Sequence, residues 1–527
     1  MIYLVSDFSY EEVPGGAEYV DNYLLNNIKE IYFIRCKDFS AQSFSNKDQY
    51  IISNFFFLSE EIKSLLIQNS NYVIIEHDYK FLKERNPINY PNFEIPFEER
   101  INALFYNAAK AVFAQSDYQA AILKKNLPFA NIISFKGTFY DDPHLDLLEK
   151  ISKNRNVETN KFAILSSKNS NKGSDKAEKF CLGNKIEYDV IPQMEYEQFL
   201  NTLSKYRGLV FLPQSPETFS RLLYEAKVMG LKIKTNKNSG IVHEDWFKEE
   251  NIDLIEYIRN KQRYNLDLIL EKLKSDYIFV PVLTEVVSLF KSKQFLNNFL
   301  RNLISQALFK HTEIIIVDCN PSDYIDDNEI LRPFLDKYKN IKVIRLDKDP
   351  GVYGAWNIGI KAANTDFVCN SNTDDLRYIN STEKMVYSLL NSESVLAYGD
   401  SRIMNKYGEA SHQRSEHSLK DFSRANMIKC LPGPFPVWKR SVHIKYGYFN
   451  DKYSSAADWE FWLRIVDGGE SFLKLKKDIG AYYFNPNGIS TNEKHAKARF
   501  IEEKEIFFKY EKVFGDNYET YKGYFSQ

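Results

Sequence analysis

Three carboxylates stand in settings that could give them chemical work. Asp374 and Asp375 follow the apolar run at 366–369 within the stretch NSNTDDLR (370–377), and Asn372 occupies the place where a third acid is expected. Adjacent carboxylates repel unless they are solvated, protonated or bridged by a cation. A hard cation such as Mg²⁺ takes one or two carboxylates and fills its shell with water and phosphate oxygens. A solvated Asx-turn is the other reading of the same residues, and the acids alone do not decide between them. Further on, Asp458 opens the segment SAADWEFWLRIVDGG (454–468), where Trp459, Trp462, Leu463 and Val466 recur at helical spacing. At the head of that helix Asp458 reads either as an N-cap or as a carboxylate kept ionised and ready to take a proton from a hydroxyl. Glu460, two positions on, cannot share its helix face.

These residues need a frame, and the chain alternates short β-branched runs with helical patterns, the signature of α/β layers with largely parallel sheets. Strands are expected at 2–6, 72–76, 111–115, 162–167 and 208–213, then at 286–290, 313–318, 342–346 and 366–370. The acids at 374–375 thus fall beyond the C-terminal end of a buried strand, where open α/β sheets bind ligands. The polar stretch 150–161 and the charged helical region 244–275 divide the strands into three sheet domains, two small ones forming a first half and one larger unit after it.

The first half has candidates of its own. Gly15 and Gly16 lie in EEVPGGAEYVDNYLL (11–25), between a strand and a helix whose N-terminal amides favour anions; a lone Gly-Gly is more often a tight turn than a phosphate cradle. Leu222, Leu223, Ala226 and Met229 stripe a helix that carries Glu225, which an ordinary amphipathic helix would leave solvated. Lys168 and Lys172 sit in the loop SSKNSNKGSDKA (166–177).

Composition narrows the classes. The 527 residues favour more than one domain. Lys+Arg 69 against Asp+Glu 71 leaves a charge of −2, which argues against a nucleic-acid partner. The 5 cysteines lack metal-ligand spacing, so a reduced, cytoplasmic chain is expected. No signal peptide and no apolar stretch near the roughly 20 residues of a bilayer span is evident. The expectation is a soluble protein, or one at the inner face of a membrane in peripheral contact.

From Gly351 the run GVYGAWNIGIKAANTDFVCNSNTDDLRYI resembles family 2 glycosyltransferases of the GT-A fold, in the branch with the pattern GIYDAMNKGI…LNSDD. Gly351, Tyr353, Ala355, Asn357, Gly359, Ile360, Ala363, Asn372, Asp374 and Asp375 fall on that pattern; Gly354 and Trp356 depart from it. The resemblance, over about 278–491, implies Mg²⁺ or Mn²⁺ on Asp374, bridging a donor's diphosphate, with Asp375, Asn372 and Asn357 on the donor side. It places Asp318, in EIIIVDCNPSD, near the nucleotide, although Cys319 and Asn320 break the usual acid-rich loop. It makes Asp458 the catalytic base, with Glu460 orienting the acceptor. Asn485, where a His is frequent, lies in a closing loop beside the diphosphate.

The first half is similar to family-4-like glycosyltransferases of the GT-B fold. GGAE at 15–18 and Glu217 and Glu225 in SPETFSRLLYEAKVMG match that family's motifs, although Thr218, Phe219 and Ser220 replace its Gly-Phe-Gly. The resemblance puts Gly15, Gly16, Lys168, Lys172, Glu217 and Glu225 around a donor, with His77 lining the cleft. It implies a fused enzyme: a GT-B-like half at 1–272, with lobes at about 1–155 and 156–272, and a GT-A half at 273–527. Nucleotide sugars would be the donors and a surface glycan or glycolipid (capsule, lipopolysaccharide or O-antigen type) the acceptor. Two alternatives stay open: a first half that binds without catalysing, and two binding modules. A nicotinamide enzyme is disfavoured, since no Gly-x-Gly-x-x-Gly follows a strand.

Overall fold

The computed structural model describes every residue except 97–98, 251, 277–279, 417–419 and 527. The resemblance's first residue, 278, lies outside the described residues. The chain divides into two compact units, Met1–Ile278 and Phe279–Gln527.

The first unit holds two parallel sheets. Six strands, β1 (Ile2–Ser6), β2 (Ile31–Arg35), β3 (Gln49–Ile52), β4 (Tyr72–Glu76), β5 (Val112–Ala114) and β6 (Ile132–Ser134), line up in the order 2-1-3-4-5-6. Four more, β7 (Thr159–Leu165), β8 (Tyr188–Ile191), β9 (Tyr206–Phe211) and β10 (Lys232–Thr235), line up as 10-9-7-8. β4 is buried at all five positions, reading YVIIE, as a strand covered by helices on both faces must. The long helix Leu254–Lys274 returns to the first sheet, burying Ile269 and Leu273 against the cluster of Leu4, Ile51, Val73 and Phe113.

The second unit is built on one nine-stranded mixed sheet. Its strands are β11 (Leu283–Leu289), β12 (Thr312–Asp318), β13 (Ile341–Arg345), β14 (Phe367–Ser371), β15 (Leu376–Arg377), β16 (Leu396–Lys406), β17 (Glu409–Arg414), β18 (Val437–Lys439) and β19 (Phe472–Tyr483). The order is 13-12-11-14-18-16-19-15, with β17 paired to β16. β13, β12, β11 and β14 run parallel, and β18 then joins β14 antiparallel.

The helix Gly351–Ala362 leads into β14, and Gly359 sets how closely it packs: a Cβ there would lie 2.3 Å from Val286 Cγ1 on β11. The helix Ala457–Asp467 buries its tryptophans, with Trp462 centred 5.2 Å from Trp438 and 5.7 Å from Phe449. Three C-terminal helices, Ala496–Lys509, Glu511–Phe514 and Asn517–Phe525, close against it through Phe514, stacked on Trp459. Among the described residues no helix is long and apolar enough to cross a membrane.

Candidate active site

A cavity of about 1450 Å³ opens in the second unit beyond the C-terminal ends of β11, β12 and β14. Asp374 and Asp458 both line it, as do Asn372, Asn485 and the first residues of the helix Gly351–Ala362. Gly351 starts that helix at φ +78°, in the left-handed region where a side chain is strained. Gly351, Val352 and Tyr353 of the first turn line the cavity, so the helix N-terminus stands at its wall, a setting that favours anions.

The paired acids have separate jobs. Asp375 is buried and its carboxylate is used up: Oδ1 accepts from Tyr483 N at 3.0 Å and Oδ2 from Asn372 Nδ2 at 3.1 Å. It ties the end of β14 to the end of β19 and is absent from the cavity wall. Burial, with the neighbouring Asp374 charge, pushes its carboxyl up to about 8. Asp374 faces the cavity, and among the described residues only its Oδ2 is engaged, by Asn485 Nδ2 at 2.9 Å. Among the described residues no cluster of three or more His, Cys, Asp or Glu could hold a metal alone. One carboxylate with a free oxygen, open to a cavity, nonetheless fits Mg²⁺ or Mn²⁺, whose remaining ligands are then phosphate oxygens and water.

Asp458 lies in the first turn of its helix. Its Oδ1 accepts from Tyr353 Oη at 2.9 Å and from Trp459 N at 2.9 Å, and Cys430 Sγ lies 3.8 Å from Oδ2. Burial raises its carboxyl above the ordinary value, and the hydrogen bonds from Tyr353 and Trp459 pull it back only in part. Desolvation is the largest influence on this group and opposes the ionised form that the helix terminus favours. A carboxylate shifted toward neutrality is a better proton acceptor near the operating pH.

Three expected site residues are engaged elsewhere. Glu460 points away from the cavity and receives Arg464, Lys509 Nζ at 2.9 Å and Tyr510 Oη at 2.6 Å, so it anchors the C-terminal helices rather than an acceptor. Asn357 spends both ends of its amide on the Phe449 backbone, at 2.9 and 3.0 Å. Asp318 is buried against Arg345 at 3.2 Å, and its neighbour Cys319 lines the cavity instead.

The loop before Asp458 is held by a residue that the sequence did not single out. Glu502 accepts from Ser454 N at 2.7 Å, Ser455 N at 2.9 Å and Ala456 N at 3.2 Å. In the sequence it sits inside IEEKE (501–505), indistinguishable from a solvated helix face.

In the first unit, Gly15 and Gly16 stand at the N-terminus of the helix Gly16–Asn27, and a Cβ on Gly15 would meet Glu18 Oε2 at 2.4 Å. Lys172 is paired with Glu217 at 2.8 Å, while Lys168 is exposed on the loop after β7. Glu225 is buried, not solvated; it accepts from Tyr196 Oη at 2.8 Å and Tyr140 Oη at 3.3 Å. Arg221 stacks between Tyr19 and Tyr140, its guanidinium carbon 3.9 and 4.2 Å from the two ring centres. His77 is held neutral, burial pushing it down to about 3, and it shares a 2.8 Å hydrogen bond with Ser53. A cavity of about 640 Å³ in this unit, walled by Tyr90, Phe93, Tyr118 and His243, includes none of the expected donor residues.

Residues 277–447 match the profile of Glycosyl transferase family 2. The second unit carries a family 2 glycosyltransferase domain. Two relatives agree: an uncharacterized glycosyltransferase of Haemophilus influenzae, 23% identical over 121 residues (23% of this chain, 47% of the relative), and the uncharacterized glycosyltransferase YwdF of Bacillus subtilis, 27% identical over 171 residues (31% and 60%). The matched segments thus span about half the length of these relatives. The crystal structure of S. aureus TarS shares 16% identity over 44% of this chain and 42% of its own, at a TM-score of 0.34, too low to carry a fold assignment. Of the acids that line the cavity, Asp374 lies inside the matched span and Asp458 follows it by 11 residues.

Proposed function

We propose that the second unit is an inverting GT-A transferase that moves a sugar from a nucleotide-sugar donor to a hydroxyl of a glycan. The observation that carries this reading is the single cavity lined by both Asp374 and Asp458. Asp374, steadied by Asn485, holds the divalent cation on the donor side, with the N-terminus of the helix Gly351–Ala362 turned to the phosphates. When bound, Mg²⁺ or Mn²⁺ supplies charge stabilisation to the departing diphosphate. Asp458, held by Tyr353, takes the acceptor hydroxyl's proton as that oxygen attacks the anomeric carbon. The bond from that carbon to the phosphate oxygen breaks, and its electron pair leaves with the nucleoside diphosphate. One displacement inverts the anomeric centre.

For the first unit, a second metal-independent transferase would make the chain bifunctional, adding successive sugars to a surface glycan. A specific observation favours the other reading, a unit that holds acceptor or nucleotide without catalysis. The side chains that would grip a donor grip each other instead: Lys172 pairs with Glu217, and Glu225 is occupied by Tyr140 and Tyr196.

A screen of nucleotide sugars for turnover, with and without Mn²⁺, tests both parts. Asp458→Asn is expected to abolish transfer, and Glu225→Gln to leave it at the wild-type rate. A second product lost in Glu225→Gln would restore the bifunctional reading.

A further inference from the structure

Part of the cavity wall comes from the helices Ala496–Lys509 and Asn517–Phe525, which lie beyond the end of the family match at residue 447. They contribute Arg499, Glu503, Thr520, Tyr521, Tyr524 and Phe525. This wall is built in, not draped over the site. Phe507 stacks on Phe514, Tyr518 and Phe525, at 5.3, 4.9 and 4.5 Å between ring centres, and Glu502 and Glu460 tie the helices to the elements that carry Asp458.

Its cavity side has an unusual set of groups. Glu503 lines the same cavity as Asp458 and accepts no hydrogen bond among the described residues; burial raises its carboxyl, and the nearby Arg499 charge opposes that. Arg499 stands one helical turn before it, its guanidinium making only a long 3.4 Å contact to Ile489 O. Tyr524 is 58% exposed, yet its ring is fixed edge-on by Phe500 and Phe525, at 5.6 and 5.0 Å. A fixed open aromatic offers a flat apolar surface, while the carboxylate and guanidinium have hydrogen-bonding capacity to spare. That combination suits a ring with one C–H face and a rim of hydroxyls. The cavity also exceeds the roughly 300–1,000 Å³ of a pocket for one small ligand, leaving room for a second beside the donor.

We propose that these C-terminal helices form the acceptor subsite and hold a pyranose, with Tyr521 and Tyr524 against the ring face and Glu503 and Arg499 on its hydroxyls. The proposal rests on the transferase reading above and adds which residues select the acceptor. A lipid chain would use the aromatic surface but offer nothing to the polar groups of Glu503 and Arg499, which disfavours it.

The test uses the full chain with Mn²⁺, a panel of UDP-, GDP- and dTDP-sugars and a panel of p-nitrophenyl glycosides as acceptors, and takes kcat and KM for the fastest pair. Tyr524→Ala is expected to raise the acceptor KM about tenfold, the scale of one lost aromatic contact, with the donor KM unmoved. Tyr524→Phe, which keeps the ring, should retain the wild-type acceptor KM, and Glu503→Gln should raise it. No nucleotide-sugar turnover by the wild type overturns the transferase reading and this inference with it. Turnover that no glycoside accelerates, or an acceptor KM unmoved by Tyr524→Ala, overturns the inference alone.

Discussion

The hydroxyl of Tyr353 donates to Oδ1 of Asp458 across 2.9 Å, joining the helix before β14 to the helix that carries the proposed base. The two residues are 105 positions apart, and the bond holds a half-buried carboxylate in one orientation at the cavity wall. It also favours the ionised form, against the burial that disfavours it.

The pH profile follows with a definite sign. Because burial raises the Asp458 carboxyl, the acid limb of kcat/KM should fall above the ordinary Asp range, and activity should be lost as pH drops through it. Tyr353→Phe removes a hydrogen bond to the charged form, worth about 1.5–3 kcal/mol. It should move that limb upward by about one to two pH units, with activity recovering at higher pH. A tyrosine that served packing alone would lower the rate without moving the limb.

Glu460 should prove structural. Burial raises its carboxyl, but Arg464, Tyr510 and Lys509 outweigh burial and hold it below the ordinary 4.5. Its contribution to stability is therefore present above pH 4.5 and lost as pH falls through the lowered value. Lys509 is half exposed and Arg464 partly so, which limits the cost of Glu460→Gln to about 2 kcal/mol. Differential scanning calorimetry should show a lower Tm at pH 7, with the mutant and wild type converging on acidification.

Trp462→Ala tests the aromatic core under the base. Trp462 packs between Trp438, Phe449, Phe461 and Phe472. Its truncation should cost about 3–5 kcal/mol in a denaturant titration.

In the first unit, Arg221→Ala should destabilise. It removes a cation stacked on two rings, worth about 2 kcal/mol where desolvated, and leaves Glu225 buried without the opposing charge. A fall in the urea midpoint of this unit is the expected reading.

Much of this frame is legible in the sequence because buried parallel strands write themselves as apolar runs: YVIIE and EIIIVD are buried at every position. Some of the strands that escaped notice are edge ones, while others, such as the central, buried β3 and β18, are only four and three residues long. At one sheet edge, β10 reads KIKT with both lysines out. At the site, the family resemblance pointed to Asp374 and Asp458, but composition could not say which way a polar side chain turns. Asn357, Glu460 and Glu225 each look like ligand contacts in one dimension and meet protein partners in three. The C-terminal helices were illegible for the same reason, since Glu502 and Glu503 are adjacent and only their helix position separates an anchor from a cavity wall.

The most direct test of the account separates the two acids. Donor affinity would be measured by calorimetry with and without Mn²⁺, and transfer by product formation, for wild type, Asp374→Asn and Asp458→Asn. The account predicts that Asp458→Asn binds the donor with wild-type affinity and fails to transfer, while Asp374→Asn loses the Mn²⁺-dependent part of donor binding. Transfer at the wild-type rate by Asp458→Asn, or unchanged Mn²⁺-dependent binding in Asp374→Asn, would contradict it.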